Sequence, residues 1–163
     1  MGMRPKDPFE SLLERHKGML FALCRHMSRR GTTAEDLVQE AAVALWRSHE
    51  KLLSLPPGRE QTAWIWRVAR NAAIDALRRT PPGANGDTLG DVPENIPAEL
   101  PNEALAELHE LIDRLGEPDR NIATLQLEGY SYEEIGAATG MTAKNVSVRL
   151  VRIKEKIRKQ MYI

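Results

Sequence analysis

One stretch of the chain cannot form a regular helix or strand, and it divides the rest into two parts. Thr80 to Pro101 contains five prolines and three glycines. Proline lacks a backbone donor and fixes its own dihedral angle, and glycine raises the entropy cost of order. Such composition is typical of a linker. We therefore expect a linker over residues 81–101, a first unit over residues 1–80 and a second over residues 102–163.

Both flanking units show the apolar spacing of helices. Apolar residues recur about every 3.6 positions, and no segment has the alternation of a strand. We expect helices over about residues 7–30, 32–51, 60–79, 102–115 and 119–129, and two more that begin after Ser131 and Thr142. We expect Thr32 and Glu35 to form a capping box for the second helix. The sequence therefore predicts an all-α protein of two small helical domains joined by a flexible acidic linker.

Charge is distributed unevenly along a chain whose net charge is zero. Residues 1–80 carry a net charge of +5, residues 81–118 a net charge of −8, and residues 119–163 a net charge of +3. Two basic segments, residues 1–80 and 119–163, therefore flank an acidic middle, a pattern compatible with nucleic-acid binding. The acidic linker is either a passive tether or a mimic of a nucleic-acid strand in a basic channel.

The stretch "SYEEIGAATGMTAKNVSVRL", Ser131 to Leu150, has the outline of a helix-turn-helix. Ser131 and Glu134 form a second capping box. Gly140 lies where the turn needs a left-handed backbone, and Thr142 is placed to cap the next helix. The start of the second helix of such a motif reads base edges in the major groove of DNA.

The helix after Thr142 is strongly basic. Residues 142–163 contain seven Lys and Arg but one acidic residue. Arg149 and Arg152 are placed to hold phosphates, whereas the first turn is placed to read bases. The alternative is a basic, solvated helix in an ordinary bundle. The candidate DNA-binding residues are Lys144, Asn145, Ser147, Arg149 and Arg152.

Two stretches of the first unit carry further candidate sites. In "AEDLVQEAAVALWRS", helical spacing places Asp36, Gln39, Glu40 and Val43 on one side. In "TAWIWRVARNAAIDALRR", arginines accompany Trp64 and Trp66, a combination that suits unstacked nucleic acid. The alternative is that both tryptophans are core residues and the arginines are solvated. The candidates on this helix are Arg67, Arg70, Asn71, Arg78 and Arg79.

Several functional classes find no support in the sequence. There is no glycine-rich phosphate loop, no nucleophile–base pair and no metal-ligand cluster, so we expect neither an enzyme nor a bound cofactor or metal. The single cysteine, Cys24, lies among apolar residues and fits a reducing compartment. No apolar run is long enough to span a membrane, and no signal peptide is evident. We therefore expect a cytoplasmic protein.

Taken together, these segments resemble the sigma-70 family of bacterial RNA polymerase initiation factors, in its minimal extracytoplasmic-function (ECF) group. "AEDLVQEAAVALWR" is similar to the polymerase-binding helix of the family, and "AWIWRVARNAAIDALRR" to the helix that reads and melts the −10 element. "EGYSYEEIGAATGMTAKNVSVRLVRIKEKIR" is similar to the −35 reading domain. All three occur in the family's order, with a linker between the second and the third.

The resemblance implies a role for each candidate site. Asp36, Gln39, Glu40 and Val43 would dock on core polymerase, and the helix with Arg67, Arg70, Asn71, Arg78 and Arg79 would contact the melted −10 strand. The loop from Lys51 to Gln61 would capture a flipped base. The helix from Lys144 to Arg152 would read the −35 element. The resemblance also implies an anti-sigma factor as a further partner.

The resemblance has departures and two rivals. The base-capturing loop reads "LSLPPGRE", without the aromatic residue usual in the family, and Ser147-Val148 stands where Lys-Ser is usual. One rival function is a stand-alone helix-turn-helix regulator, which would bind duplex DNA without polymerase. The other is an adaptor that mimics a sigma factor and binds only a regulatory protein. Neither rival requires Asp36 and Glu40 to bind polymerase.

Overall fold

The computed structural model describes residues 7–79 and 103–161 and contains helices but no extended strand within those ranges. The predicted linker, residues 81–101, lies outside the described residues. The helices are α1 (Pro8–Arg15), α2 (Lys17–Met27), α3 (Ala34–Arg47), α4 (His49–Ser54), α5 (Arg59–Arg79), α6 (Glu103–Asp113), α7 (Asp119–Leu127), α8 (Tyr132–Thr139) and α9 (Ala143–Met161). The predicted all-α class, with two helical units and a helix-turn-helix in the second, is confirmed.

Three predicted details differ in the structure. The first predicted helix is two helices, because the backbone at His16 leaves the helical region at φ −107° and ψ 12°. The second predicted helix ends at Arg47, and α4 follows after Ser48. The capping box of α3 uses Thr33 with Asp36, one position after the predicted pair, Thr32 and Glu35. The correct residue is the one with extended backbone, ψ 162°, immediately before the first helical turn.

The first unit is held together by α5. This helix packs against α2, α3 and α4. Its buried side chains include Ile65 and Trp66, and it shares a core with Leu45 and Leu52. Cys24 is fully buried beside Leu37, and burial raises the pKa of its thiol to about 12. Cys24 therefore serves as a small core residue.

The helix-turn-helix of the second unit is built as its sequence predicts. Ser131 and Glu134 form the capping box of α8. The helix ends at Gly140 in the left-handed region, φ 78°. Thr142 Oγ1 then accepts a hydrogen bond from the backbone N–H of Asn145 at 3.1 Å. A Cβ at Gly136 would lie 2.5 Å from the carbonyl oxygen of Met141, so only glycine lets α8 and the turn before α9 approach each other this closely.

The two units pack against each other. Helix α8 lies along α5, and α7 contacts α2. The main cluster of buried side chains is continuous across both units and includes Leu20, Ile65, Ile122 and Ile135. The packing covers part of α5, one of the two helices that the sequence predicts to bind DNA.

Candidate polymerase and nucleic-acid interfaces

The four candidate polymerase-binding residues lie together on one side of α3. Asp36, Gln39, Glu40 and Val43 line a groove of about 620 Å³. The groove also includes Arg79, whose Nη2 lies 3.0 Å from Glu40 Oε2. Val43 is 48% exposed, so the groove combines carboxylates with an accessible apolar side chain. Such a mixture suits protein docking.

Asp36 also has a structural role on this surface. Its carboxylate accepts a hydrogen bond from the backbone N–H of Thr33 at 3.4 Å, and Thr33 Oγ1 accepts one from the N–H of Asp36 at 3.1 Å. Loss of such a cap typically costs about 1 kcal/mol of helix stability. A substitution of Asp36 therefore changes both the surface and the start of α3.

The candidate −10 residues of α5 fall into two groups, those that contact the second unit and those that do not. Arg67 donates from Nη2 to the carbonyl oxygen of Ala137 in α8 at 2.8 Å. Arg70 donates to Glu117 Oε2, also at 2.8 Å. Both partners belong to the second unit, so the middle of α5 faces α8 and the loop before α7.

The other candidates on α5 do not cross to the second unit. Asn71 is exposed. Arg78 Nη1 lies 4.0 Å from Asp75 Oδ1 on the same helix, and Arg79 is the residue that pairs with Glu40. Arg79 thus lies in the groove of the polymerase-binding candidates, although its sequence position grouped it with the −10 residues.

The two tryptophans of α5 have different positions. Trp66 is 2% exposed and belongs to the core, as the alternative interpretation of this stretch has it. Trp64 is half-buried, and its indole Nε1 is buried without a hydrogen-bond partner among the described residues. Trp64 lines a groove of about 670 Å³ between the units, with Lys51 and Arg67 on one side and Met141 on the other.

Further polar contacts join the two units across their boundary. Thr62 donates from Oγ1 to Glu134 Oε2 at 2.8 Å. His16 Nδ1 and the hydroxyl of Tyr130 are hydrogen-bonded at 2.7 Å, and their rings are stacked. His26 Nδ1 is hydrogen-bonded to the carboxylate of Asp113.

Burial and hydrogen bonding shift the pKa of two groups at this boundary. Burial, with help from the charge of Arg15, lowers the pKa of His16. Burial alone would raise the pKa of Glu134. Hydrogen bonds from Ser131 and Thr62 outweigh that effect, so the net pKa of Glu134 is lowered. The packed arrangement therefore favours a neutral His16 and an ionised Glu134.

The candidate −35 residues of α9 lie mainly on the surface. Lys144, Asn145 and Arg152 are exposed, and Ser147 is half-buried. Arg149 is half-buried because its Nη1 lies 2.9 Å from Asp119 Oδ1 at the start of α7. The buried stripe of the same helix is Val146, Leu150 and Ile153, as its spacing predicts. This face is accessible while the units are packed.

Sequence reasoning missed the acceptors that engage the candidate arginines. Glu117, Asp119 and the carbonyl of Ala137 bind Arg70, Arg149 and Arg67. Local spacing gives no signal for these pairs, since Arg70 and Glu117 are 47 positions apart and Arg67 and Ala137 are 70 apart. The acidic character of residues 81–118 is the one hint that the sequence offers.

The described residues offer neither a group of metal ligands nor a helix that could span a membrane. Across residues 7–79 and 103–161, no three His, Cys, Asp or Glu side chains are grouped so that they could hold a metal ion. None of the helices in those ranges is both long enough and apolar enough to cross a membrane.

Comparison with known proteins matches both units to one family. Residues 12–81 match the family model Sigma-70 region 2, and residues 105–157 match Sigma-70, region 4. The sigma factor CarQ of Myxococcus xanthus is 32% identical over an alignment covering 94% of this chain and 88% of its own. The chain belongs to the sigma-70 family.

Further relatives place it in the ECF group. The ECF sigma factor SigW of Bacillus subtilis is 27% identical and is covered to 90%, with 96% of this chain aligned. Sigma factors bind core RNA polymerase and promoter DNA, so this chain is a transcription initiation factor. Its family acts in initiation rather than as a catalyst.

Two solved structures have a similar fold. A structure of CnrH in complex with the cytosolic domain of CnrY superposes with a TM-score of 0.62 and 25% identity, covering 94% of this chain and 86% of that one. The sigma factor RpoE of Bartonella quintana, solved with the anti-sigma factor NepR, gives a TM-score of 0.67 at 22% identity, covering 95% and 97%. The fold is therefore that of known sigma factors.

Proposed function

We propose that this ECF sigma factor docks on core polymerase through the face of α3 that carries Asp36, Gln39, Glu40 and Val43. The observation that carries the proposal is the groove that brings these side chains together beside an accessible valine. The same proposal assigns −10 DNA to Arg67, Arg70, Asn71, Arg78 and Arg79, and −35 DNA to Lys144, Asn145, Ser147, Arg149 and Arg152. We place this activity in the cytoplasm.

The test is co-elution with purified core polymerase in gel filtration. A double variant, Gln39→Arg/Val43→Arg, alters the α3 face without touching the capping box that Asp36 completes. We expect it to abolish co-elution, because two bulky cations replace a neutral and an apolar contact at the centre of the groove. The control is Glu10→Arg/Glu50→Arg, two exposed positions of the same unit outside α3.

The outcomes separate sigma function from its rivals. Co-elution of the native chain and of the control, lost in the α3 variant, supports polymerase docking at this face. If the α3 variant still co-elutes, the assignment of these residues is wrong. If the native chain itself does not co-elute, a stand-alone regulator or an adaptor becomes the better explanation of these surfaces.

We further propose that an anti-sigma factor controls this chain. Two similar structures, those of CnrH and of RpoE, were each solved with a bound partner, and the partner of RpoE is itself an anti-sigma factor. The groove between the units offers Trp64 and Met141 as apolar contacts for a partner. Affinity purification from the native host under repressed conditions should recover a small inhibitory protein. Its repeated absence would argue against such control.

A further inference from the structure

Glu117, in the loop between α6 and α7, and Asp119, the first residue of α7, carry carboxylates that engage arginines of both candidate DNA helices. Glu117 Oε2 accepts from Arg70 of α5 at 2.8 Å, and Asp119 Oδ1 accepts from Arg149 of α9 at 2.9 Å. The two acidic residues are separated only by Pro118. One short segment therefore holds one arginine from each helix that is assigned to DNA.

The surroundings of this loop keep Glu117 in place. Its second oxygen, Oε1, lies 3.3 Å from Nη2 of Arg120, which is itself only 25% exposed. Glu117 thus bridges a cation of its own unit and a cation of the other unit. Asp119 is the first residue of α7, where a carboxylate is also favoured by the helix dipole.

A phosphate of DNA would bind the same guanidinium groups in the same way. Arginine presents a planar fork of donors that fits a carboxylate or a phosphate equally well. An arginine that is already paired must leave its carboxylate before it can hold a phosphate. The two carboxylates therefore oppose DNA binding by an amount equal to the strength of the ion pairs that are broken.

We propose that Glu117 and Asp119 act as internal competitors of promoter phosphates for Arg70 and Arg149. The proposal rests on the assignment of these two arginines to DNA. The two ion pairs differ in whether they join the two units. Asp119 and Arg149 lie in one unit, so their pair persists whether or not the units separate. Glu117 and Arg70 can pair only while the units are packed.

The magnitude of the competition follows from exposure. Side-chain exposures of 33–43% place both pairs at the partly solvated surface, where ion pairs are weak. Removal of one carboxylate should therefore raise the affinity of the matching arginine for DNA by about twofold to fivefold at low salt. The gain should shrink as salt is added, since salt screens both the pair and its competitor.

The first experiment is a mutant cycle on the full-length chain with a short duplex of mixed sequence, because phosphate contacts do not depend on sequence. We expect Asp119→Asn to tighten binding by about twofold to fivefold and Arg149→Ala to weaken it. In the Arg149→Ala background, Asp119→Asn should have no further effect. Glu155→Gln is the control, since it removes one exposed carboxylate from α9 itself.

The second cycle uses Glu117→Gln and Arg70→Ala with a short single-stranded oligonucleotide. Its control is Glu110→Gln, an exposed acidic position of α6 in the same unit. A gain with Glu117→Gln that vanishes in the Arg70→Ala background supports competition between units. Hydrogen exchange of α5 and α8 amides in each variant checks that both units remain folded.

The results test two ideas separately: that the carboxylates compete with phosphates, and that Arg70 and Arg149 bind DNA. If Arg149→Ala weakens DNA binding but Asp119→Asn brings no gain, the competition is wrong and the DNA role stands. If Asp119→Asn still raises DNA affinity in the Arg149→Ala background, or raises it no more than Glu155→Gln does, the gain is a general charge effect and the proposal is wrong. If Arg149→Ala and Arg70→Ala leave DNA binding unchanged, the DNA assignment fails and the competition fails with it.

Discussion

Helices α5 and α9 are both assigned to DNA, yet they present their candidate residues differently. In α5, Arg67 and Arg70 are engaged by groups of the second unit. In α9, Lys144 and Arg152 face outward while the units are packed. The packed chain can therefore offer α9 to duplex DNA at once, whereas α5 must first leave α8. Promoter recognition by this protein should begin at the second unit for a purely geometric reason.

The largest expected effect comes from the close contact between α8 and the turn before α9, which positions α9. Gly136→Ala would place a Cβ 2.5 Å from the backbone carbonyl of Met141. We expect a loss of about 1–3 kcal/mol of stability, because backbone must shift to make room. Thermal denaturation measures the change. Gly116→Ala is the control, since a Cβ there meets no atom within 4 Å, and an equal loss at both positions would contradict the role of this close contact.

A smaller effect is expected where α5 meets α8. Thr62→Val keeps the shape of the side chain but removes its hydrogen bond to Glu134. We expect the packing of the units to weaken by about 1–2 kcal/mol, because a hydrogen bond to a charged acceptor is lost. Faster hydrogen exchange in α8 and tighter binding of a single-stranded oligonucleotide would show that α5 is released.

The matched control for this release is Thr139→Val. Thr139 donates to the carbonyl of Ile135, so its hydrogen bond stays within α8 and does not join the units. The two variants therefore delete the same hydroxyl in the two settings. If Thr139→Val raises single-strand binding as much as Thr62→Val, the boundary hydrogen bond does not restrain α5.

The salt dependence of duplex binding compares the two helices directly. Arg149→Ala and Arg152→Ala should each reduce the log–log salt slope by about 0.9, the contribution of one phosphate contact. Arg67→Ala and Arg70→Ala should leave the slope for duplex DNA unchanged, since both arginines are held across the boundary between the units, whereas the carboxylate that holds Arg149 lies in the same unit as α9. A slope that falls equally in all four variants would remove the distinction between α5 and α9.

The smallest effect is expected from acidification. The pKa of His16 is lowered in the folded chain, so the unfolded chain binds the proton first as the pH falls below 6.5. The stability contributed by neutral His16 is thus complete above that pH and is lost below it. Arg15 favours this loss and Glu134 opposes it.

Melting temperatures between neutral and mildly acidic pH measure this contribution. Native protein should lose more stability on acidification than His16→Gln, which cannot titrate. His109, whose pKa burial also lowers, remains in both proteins, so the difference between them isolates His16. Equal losses in the two proteins would show that His16 does not couple protonation to stability.

Features of the structure that depend on residues close together in the sequence were predictable. The capping box of Ser131 and Glu134, the left-handed Gly140 and the apolar stripe of α9 are encoded within a few positions of one another. Errors arose where two local solutions compete. Thr32 and Thr33 both precede α3, and only the backbone conformation selects Thr33 as the cap. The break at His16 is likewise not marked at that position, since the neighbouring glycine, Gly18, lies inside α2.

The placement of the candidate site was predictable only in part. Helical spacing was sufficient to put Asp36, Gln39, Glu40 and Val43 on one groove. It could not show that Arg79 joins that groove, because the contact of Arg79 with Glu40 depends on how α5 crosses α3. The sequence does not distinguish Trp64 from Trp66, and only the packing of α5 makes Trp66 a core residue.

The amino-acid sequence by itself determined the all-α class, the division into two units, the helix-turn-helix and the family. These properties rest on helical periodicity, capping and glycine placement, which act over a few residues. Tertiary structure alone decided that α5 faces α8 and that Glu117 and Asp119 hold Arg70 and Arg149. The bonds that join the units link residues 47 to 114 positions apart, and their formation depends on how whole helices pack.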